Sequence, residues 1–341
     1  MREKKMGDRA NLVAVASYLP EGRMSAEEIG GVSGLEPWIV HQKLGIKQKC
    51  LPGPDDHPTQ MAIWAAQKVL KKSQLAAKDI DVVISIVEEF KEYPVWTAGI
   101  RLAHEIGALN AYAYDIGQKC GSSVLALKQA KDLILADDEI NTVLVAGGYR
   151  NGDLIDFKDP DVRFMYNLAA GGGAAIVQRQ SPKGLGHEIL KSSILTDGAL
   201  SLDVLVPVGG TKDRLAASNI DQFRLRVTDP AGMRSRLEAK SLDNFFQVIK
   251  SAVHKSGYQL KDIDYLAMLH MKPSAHEHIL AELGLKPEKS IYLSDYGHIG
   301  QIDQLLSLEL AEAAGKLKPG DLVVLVAAGV GYVWNALCLR W

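Results

Sequence analysis

An α/β protein built from two related halves is what this sequence predicts, and three observations predict it. Stretches of strand length made almost wholly of apolar residues, such as IDVVISIV at 80–87 and TVLVAGG from Thr142, alternate with segments of helical period. Strands apolar throughout are buried on both faces, which calls for a parallel or mixed sheet covered by helices. The tract KSQLAAKDIDVV beginning at Lys72 also returns as KSGYQLKDIDYL at Lys255, and the order of elements after it returns too. A period this long means two related domains, not a solenoid. Thirdly, 341 residues, 47% hydrophobic and 23% charged, suffice for two cores of ordinary size. The halves are expected at 1–180 and 181–341.

Taken in order, residues 11–18 read as a first strand, ended by Leu19-Pro20-Glu21-Gly22. Ser25 and Glu28 have the spacing of a capping box for a short helix. A helix at 37–43 carries Trp38 and closes at Gly45. Residues 59–72 form an amphipathic helix, 80–87 a buried strand, 88–94 a loop and 96–106 a helix. Residues 111–131, AYAYDIGQKCGSSVLALKQAK, pass from a strand through a tight turn into a helix. Residues 149–167 are polar and irregular.

LAAGGGAAIV follows at 168–177, without the GxGxxG or GxxxxGK spacing of a phosphate loop. Its glycines are read as letting two sheets or a ligand approach closely. Residues 181–236 look least regular, and a helix resumes at 242–256. In the second half IYLSD at 291–295 stands where AYAYD stands in the first, and DLVVLVAAG at 321–329 where TVLVAGG stands. Asp115-Ile116-Gly117 lies opposite Asp295-Tyr296-Gly297.

Composition excludes several classes. A formal net charge of −2 leaves no footprint for nucleic acid or an anionic membrane. The three cysteines, Cys50, Cys120 and Cys338, are too few and too far apart for a disulfide framework or a cysteine zinc site. The opening MREKKMGDRANLVAVASYL has only a brief apolar run before Pro20. Neither a signal peptide nor a membrane span is expected, and the cytoplasm is the expected compartment.

Cys120 stands where a turn becomes a helix, facing backbone N–H groups and the positive end of the helix dipole, a setting that favours a thiolate. The repeat sets His298 in YGHIG at the equivalent turn, and His270 ends the strand YLAMLH. Alone, each has an ordinary reading: a buried cysteine acts as a small hydrophobe and a strand-end histidine as a satisfied polar group. Gathered at equivalent turns of a duplicated fold, they form the set that nucleophilic acyl transfer needs. A metal site from His270, His276 and His278 is the rival. His276 and His278 are two apart on a helix and point in different directions, and HExxH spacing is missing, so no metal is assigned.

The stretches DIGQKCGSSVLAL, LAMLH, YGHIG and KPGDLVVLVAAGVGYVWNALCLRW resemble the β-ketoacyl-ACP synthase III group of the thiolase fold. SYLPE, PWIV with Trp38, and LGI before a basic segment fit too, so the resemblance spans residues 11–341. It implies a thiolase-like five-layered αβαβα arrangement and a homodimer active in fatty acid biosynthesis without a cofactor. By this resemblance Cys120 takes an acyl group from acyl-CoA, and His270 with His298 activates the second thioester. Malonyl-ACP or malonyl-CoA then loses CO₂ and attacks the acyl-cysteine to give a 3-oxoacyl thioester.

Carried over in the same way, the backbone N–H groups of Cys120 and of the turn near Val330 form an oxyanion hole. Trp38 and Arg163 hold the CoA adenine, and Tyr93 closes the partner's acyl pocket across the dimer. Six positions depart from the family pattern: His298 replaces an asparagine, Met271-Lys272-Pro273 replaces Gln-Ala-Asn, Ala275 replaces an arginine, and Val330 replaces a glycine. Two alternatives stay open. One is condensation of two acyl-CoAs without decarboxylation; the other is a non-catalytic partner subunit, which the intact Cys120 disfavours.

Overall fold

Apolar strands are buried on both faces here because helices cover both. The computed structural model of the protein describes residues 9–180 and 186–341. Nine strands form the main sheet: β1 (Ala10–Tyr18), β2 (Val82–Ser85), β3 (Tyr112–Asp115), β4 (Thr142–Tyr149), β5 (Gly171–Arg179), β6 (His187–Thr196), β7 (Ile263–Met268), β8 (Leu322–Gly329) and β9 (Val333–Arg340). Six helices cover them: α1 (Pro58–Ser73), α2 (Ala98–Ile106), α3 (Ser122–Ala136), α4 (Pro230–Lys255), α5 (Pro273–Glu282) and α6 (Asp303–Ala313).

The sheet order is β7-β8-β9-β6-β1-β5-β4-β2-β3. Its halves repeat one pattern. From the centre outward, β1-β5-β4-β2 and β6-β9-β8-β7 each run antiparallel, antiparallel, then parallel. Among the described residues, the two half-sheets pair where Asn11 and Leu12 meet Glu188 and His187.

Alternate residues of each strand feed different cores, as the two-residue strand period requires. Val143 and Val145 of β4 face a central core with Val124 and Leu127 of α3 and Leu305 and Leu308 of α6; Val323 and Leu325 of β8 enter it from the other half. Leu144 and Ala146 face outward onto α1 and α2, and Val324 and Val326 onto α4 and α5. The layers are therefore helix, sheet, helix, sheet, helix, and α3 and α6 lie in the middle one. Each fully buried Leu, Ile or Val contributes roughly 1.5–3 kcal/mol, so the three cores together fix the stack.

Four expectations are corrected. The glycine run admits helices, not a second sheet or a ligand: a Cβ on Gly172 would lie 2.3 Å from the Met61 carbonyl oxygen of α1, and one on Gly173 2.7 Å from Ile302 Cγ2. Residues 181–236 are less irregular than read, because they contain the ten-residue strand β6. Only Ile189 of β6 is fully buried, so it lacks the apolar signature of the other strands. The helix expected at 242 starts at Pro230, capped by Asp229, and its first turns are polar because they are largely exposed. Finally, IYLSD at 291–295 forms no strand. Ser294 C=O accepts from Lys47 and Gln48, and Tyr296 C=O from Cys50, which ties this segment to residues 47–50 instead. The expected boundary between halves, after residue 180, falls on 181–185, outside the described residues.

Candidate active site

The turn between β3 and α3 is held from three sides. Lys119 adopts a left-handed backbone (φ 52°), a strained conformation for a side chain with a Cβ. Ser122 Oγ accepts from Gln118 N–H and donates to Lys119 C=O, both at 2.7 Å. Asn335 of β9 donates to Gln118 Oε1 and to Gly121 C=O, both at 2.9 Å. Glycine is required on each flank: a Cβ on Gly121 would lie 2.5 Å from Asn335 Nδ2, and one on Gly329 3.0 Å from the Cys120 nitrogen. Cys120, 8% exposed, stands one residue before the Gly121 cap of α3.

The second half brings His298 to it. Backbone bonds from His298 N–H to Asn167 C=O (2.7 Å) and from Ala169 N–H to His298 C=O (2.9 Å) fix the residue in place. Its Nε2 lies 3.1 Å from Cys120 Sγ, and its Nδ1 lies 2.6 Å from Asp303 Oδ2. Asp303, the first residue of α6 and fully buried, also accepts from His270 N–H and Ile299 N–H, each at 2.7 Å. Cys120, His298 and Asp303 thus form a line of thiol, imidazole and carboxylate. That is the arrangement of an activated nucleophile: base beside it, orienting group behind.

The two histidines differ in charge. Burial alone would push His298 down, but the Asp303 carboxylate and the Cys120 sulfur outweigh it and hold His298 well above its ordinary range. The surroundings thus favour the doubly protonated imidazole, with Nδ1 aimed at Asp303 and Nε2 at Cys120. His270 is pushed down to about 4, chiefly by burial, and is neutral. Its Nε2 lies 3.0 Å from Gly45 C=O, which can only accept, so Nε2 carries the proton. Its Nδ1 then accepts from Asn167 Nδ2 at 2.8 Å. Both nitrogens of His270 are committed.

A cavity of about 1030 Å³ opens beside these groups, lined by Cys120, Asn167, His270 and His298 and by apolar side chains including Phe90 and Phe223. Arg163 and Val330 also line it. Trp38 and Tyr93 do not; they are 51% and 66% exposed, and Tyr93 packs edge-on against Trp96. His276 packs edge-on against Tyr292, and His278 against Phe246.

Sequence reading missed Asp303, Asn167 and Glu88. Asp303 shares the run IGQIDQLLSLEL with Glu309, and nothing in the run sets it apart. Glu88 follows a buried parallel strand, where ligand-facing groups gather. Asn167, at the end of a polar segment, carried no signal. Lys49, buried and pushed down to about 7 by burial, donates to the carbonyls of Tyr166 and Leu168 on either side of Asn167.

A five-layered α/β fold of this topology, with a cysteine, a histidine and a carboxylate gathered between its halves, is that of the thiolase-like class. Residues 114–198 match the family described as 3-oxoacyl-[acyl-carrier-protein] synthase III, and residues 253–341 match the C-terminal part of that family. The chain belongs to the 3-oxoacyl-[acyl-carrier-protein] synthase III family. It is 25% identical to a β-ketoacyl-[acyl-carrier-protein] synthase III of Bartonella bacilliformis, over 98% of this chain and 99% of the relative. It is 24% identical to the acetoacetyl CoA synthase NphT7 of a Streptomyces, with the same coverage. The crystal structure of 3-oxoacyl-[acyl-carrier-protein] synthase III from Aquifex aeolicus superposes with a TM-score of 0.82, covering 97% of this chain and all of that one, at 20% identity.

Proposed function

We propose that this protein is a condensing acyltransferase that joins an acyl-CoA primer to a malonyl thioester, carried on ACP or CoA, through an acyl-Cys120 intermediate. The observation that carries this is the 3.1 Å contact between Cys120 Sγ and an Asp303-backed His298 at the wall of a large apolar cavity.

In the first half, the Cys120 thiolate attacks the thioester carbonyl of acyl-CoA. The oxyanion is received by the N–H of Cys120 and by the backbone near Val330. The C–S bond to CoA breaks, and the departing CoA thiolate takes the Nε2 proton of His298. The apolar wall then holds the acyl chain.

In the second half the malonyl group loses CO₂, and the resulting carbanion attacks the acyl-cysteine carbonyl. The bond to Cys120 breaks, the thiolate returns, and His298 regains a proton from water. One proton is consumed overall, and no step calls for a cofactor. His270 is neutral and committed on both nitrogens, so it shapes the site and positions Asn167. Arg163 in the cavity wall and the exposed Trp38 are assigned to the CoA end. Exposed Tyr93 and Val95, flanking the cavity residue Pro94, suit a face covered by a second copy. We place the enzyme in the cytoplasm, with acyl-CoA.

Intact-mass spectrometry after incubation with a panel of acyl-CoAs tests this reading. The wild type should gain one acyl group, mapped to Cys120, and Cys120→Ala should gain none. Adding malonyl-CoA or malonyl-ACP should then release CO₂. Label on Cys50 or Cys338, or no label with any acyl-CoA, would sink the assignment.

A further inference from the structure

Neither histidine beside Cys120 is free to hold the carbonyl oxygen of a second thioester. His270 spends its Nε2 proton on Gly45 C=O and fills Nδ1 with the Asn167 amide. His298 keeps its Nδ1 proton on Asp303, so once its Nε2 proton has left with CoA, Nε2 is a bare lone pair. An asparagine in that place would offer an N–H, but this histidine does not. Yet enolate charge developing on the acceptor needs a donor in a site that excludes water.

The cavity wall holds one further buried acid, Glu88, 6% exposed and three residues beyond the end of β2. Asn151 Nδ2–H donates to its Oε2 at 2.9 Å. Its Oε1 is buried without a hydrogen-bond partner among the described residues. A carboxylate there would leave a buried charge half satisfied, whereas a neutral acid with its hydrogen on Oε1 lacks only an acceptor.

We propose that Glu88, as the neutral acid, donates its Oε1 hydrogen to the carbonyl oxygen of the acceptor thioester and holds the enolate that forms there. This rests on the condensing reading above. No proton changes hands: the C–CO₂ bond breaks, its electrons enter the enolate, and Glu88 remains an acid throughout. Being neutral, it also does not repel the incoming malonyl carboxylate.

The surroundings agree. Burial holds the Glu88 carboxyl above the usual carboxylate range; Lys119 and His298 pull the other way, and Glu89 adds to the rise. Lys119 also pairs with the exposed Glu89, so its charge is shared between the two carboxyls, and at Glu88 burial outweighs it. Tyr149 also faces the cavity, its hydroxyl pushed up by burial and by Cys120 and Glu88.

Glu88→Gln keeps an N–H donor in the same shape, and Glu88→Ala removes it. Acylation of Cys120 is followed by intact mass, and condensation by adding malonyl-CoA to pre-acylated enzyme. Both variants should acylate within about 3-fold of wild type. Condensation should stay within about 10-fold in Glu88→Gln and fall roughly 10²–10³-fold in Glu88→Ala, as for the loss of one oxyanion donor. Because His298, Lys119, Glu89 and Tyr149 titrate around the same cavity, pH profiles of condensation are compared between proteins. The alkaline decline of wild type should be missing from Glu88→Gln. The proposal is overturned if Glu88→Gln is as slow as Glu88→Ala, if Glu88→Ala condenses normally, or if Glu88→Ala loses acylation too. A wild type never acylated at Cys120 refutes instead the condensing reading beneath it.

Discussion

The Cys120 turn and the His298 turn occupy equivalent places in the two halves, each leading into a helix of the central layer. They are built with opposite charge. At the first, Gly121 caps α3 with no side-chain acceptor, so the positive end of the helix faces the sulfur. At the second, Asp303 opens α6 and takes up His270 N–H, Ile299 N–H and the Nδ1 of His298. One turn suits an anion and the other a cation, 3.1 Å apart. The two turns take similar places before the two central helices, and their opposite polarity sets a sulfur against an imidazole.

Removing the negative charge from the second turn should break this pairing most severely. Asp303→Asn leaves an amide where three N–H groups converge, and His298 loses the carboxylate that raises it. The amide favours the wrong imidazole tautomer, which costs about 10³–10⁴-fold in a thiol or hydroxyl site of this kind. Single-turnover release of CoA at pH 7 measures it. The alkaline fall in acylation should also move to lower pH, because His298 then gives up its proton more easily. Less than 10-fold slowing would show that the carboxylate does not govern His298.

His270 sharpens the comparison, since it shares the cavity yet stays neutral. Its site depresses it from an ordinary 6.5 to about 4, so the unfolded chain binds this proton more tightly than the folded one. Stability from this residue is therefore complete above pH 6.5 and is lost as pH falls toward 4. The full loss is about 3 kcal/mol. His276 and His187, also pushed down to about 4, act in the same sense. Urea unfolding of wild type and His270→Gln at several pH values gives the slopes. The variant's stability should depend on pH less steeply between 4 and 6.5. Equal slopes would mean that His270 is protonated in the fold.

What could be read from the sequence follows the range of the interactions concerned. β4 and α1 are written in adjacent residues, as an apolar run and a helical period, and the Cys120 turn is a local strand-to-helix signal. The match of Lys72 with Lys255 made His298 legible, because duplication turns a distant relation into a comparison of two strings. Asn167 and Asp303 were not legible. Asn167 earns its place through His270, 103 residues away, and Asp303 through a histidine and two backbone N–H groups that meet only when α6 docks. β6 escaped because its side chains are half-buried, so neither pure apolarity nor strict alternation marks it.

The smallest expected effect lies in the first turn. Ser122 is fully buried, and its hydroxyl ties Gln118 N–H to Lys119 C=O across the strained residue before Cys120. Ser122→Ala leaves both backbone groups short of a partner while keeping the helix start. The cost should be about 1–2 kcal/mol, since a neutral buried hydroxyl is lost without a cavity large enough to collapse. Denaturant midpoints measure this, and the acylation rate should fall less than 10-fold, because Asp303 and His298 are untouched. A kinetic loss as large as that of Asp303→Asn would mean that the geometry of the first turn matters as much as the charge of the second.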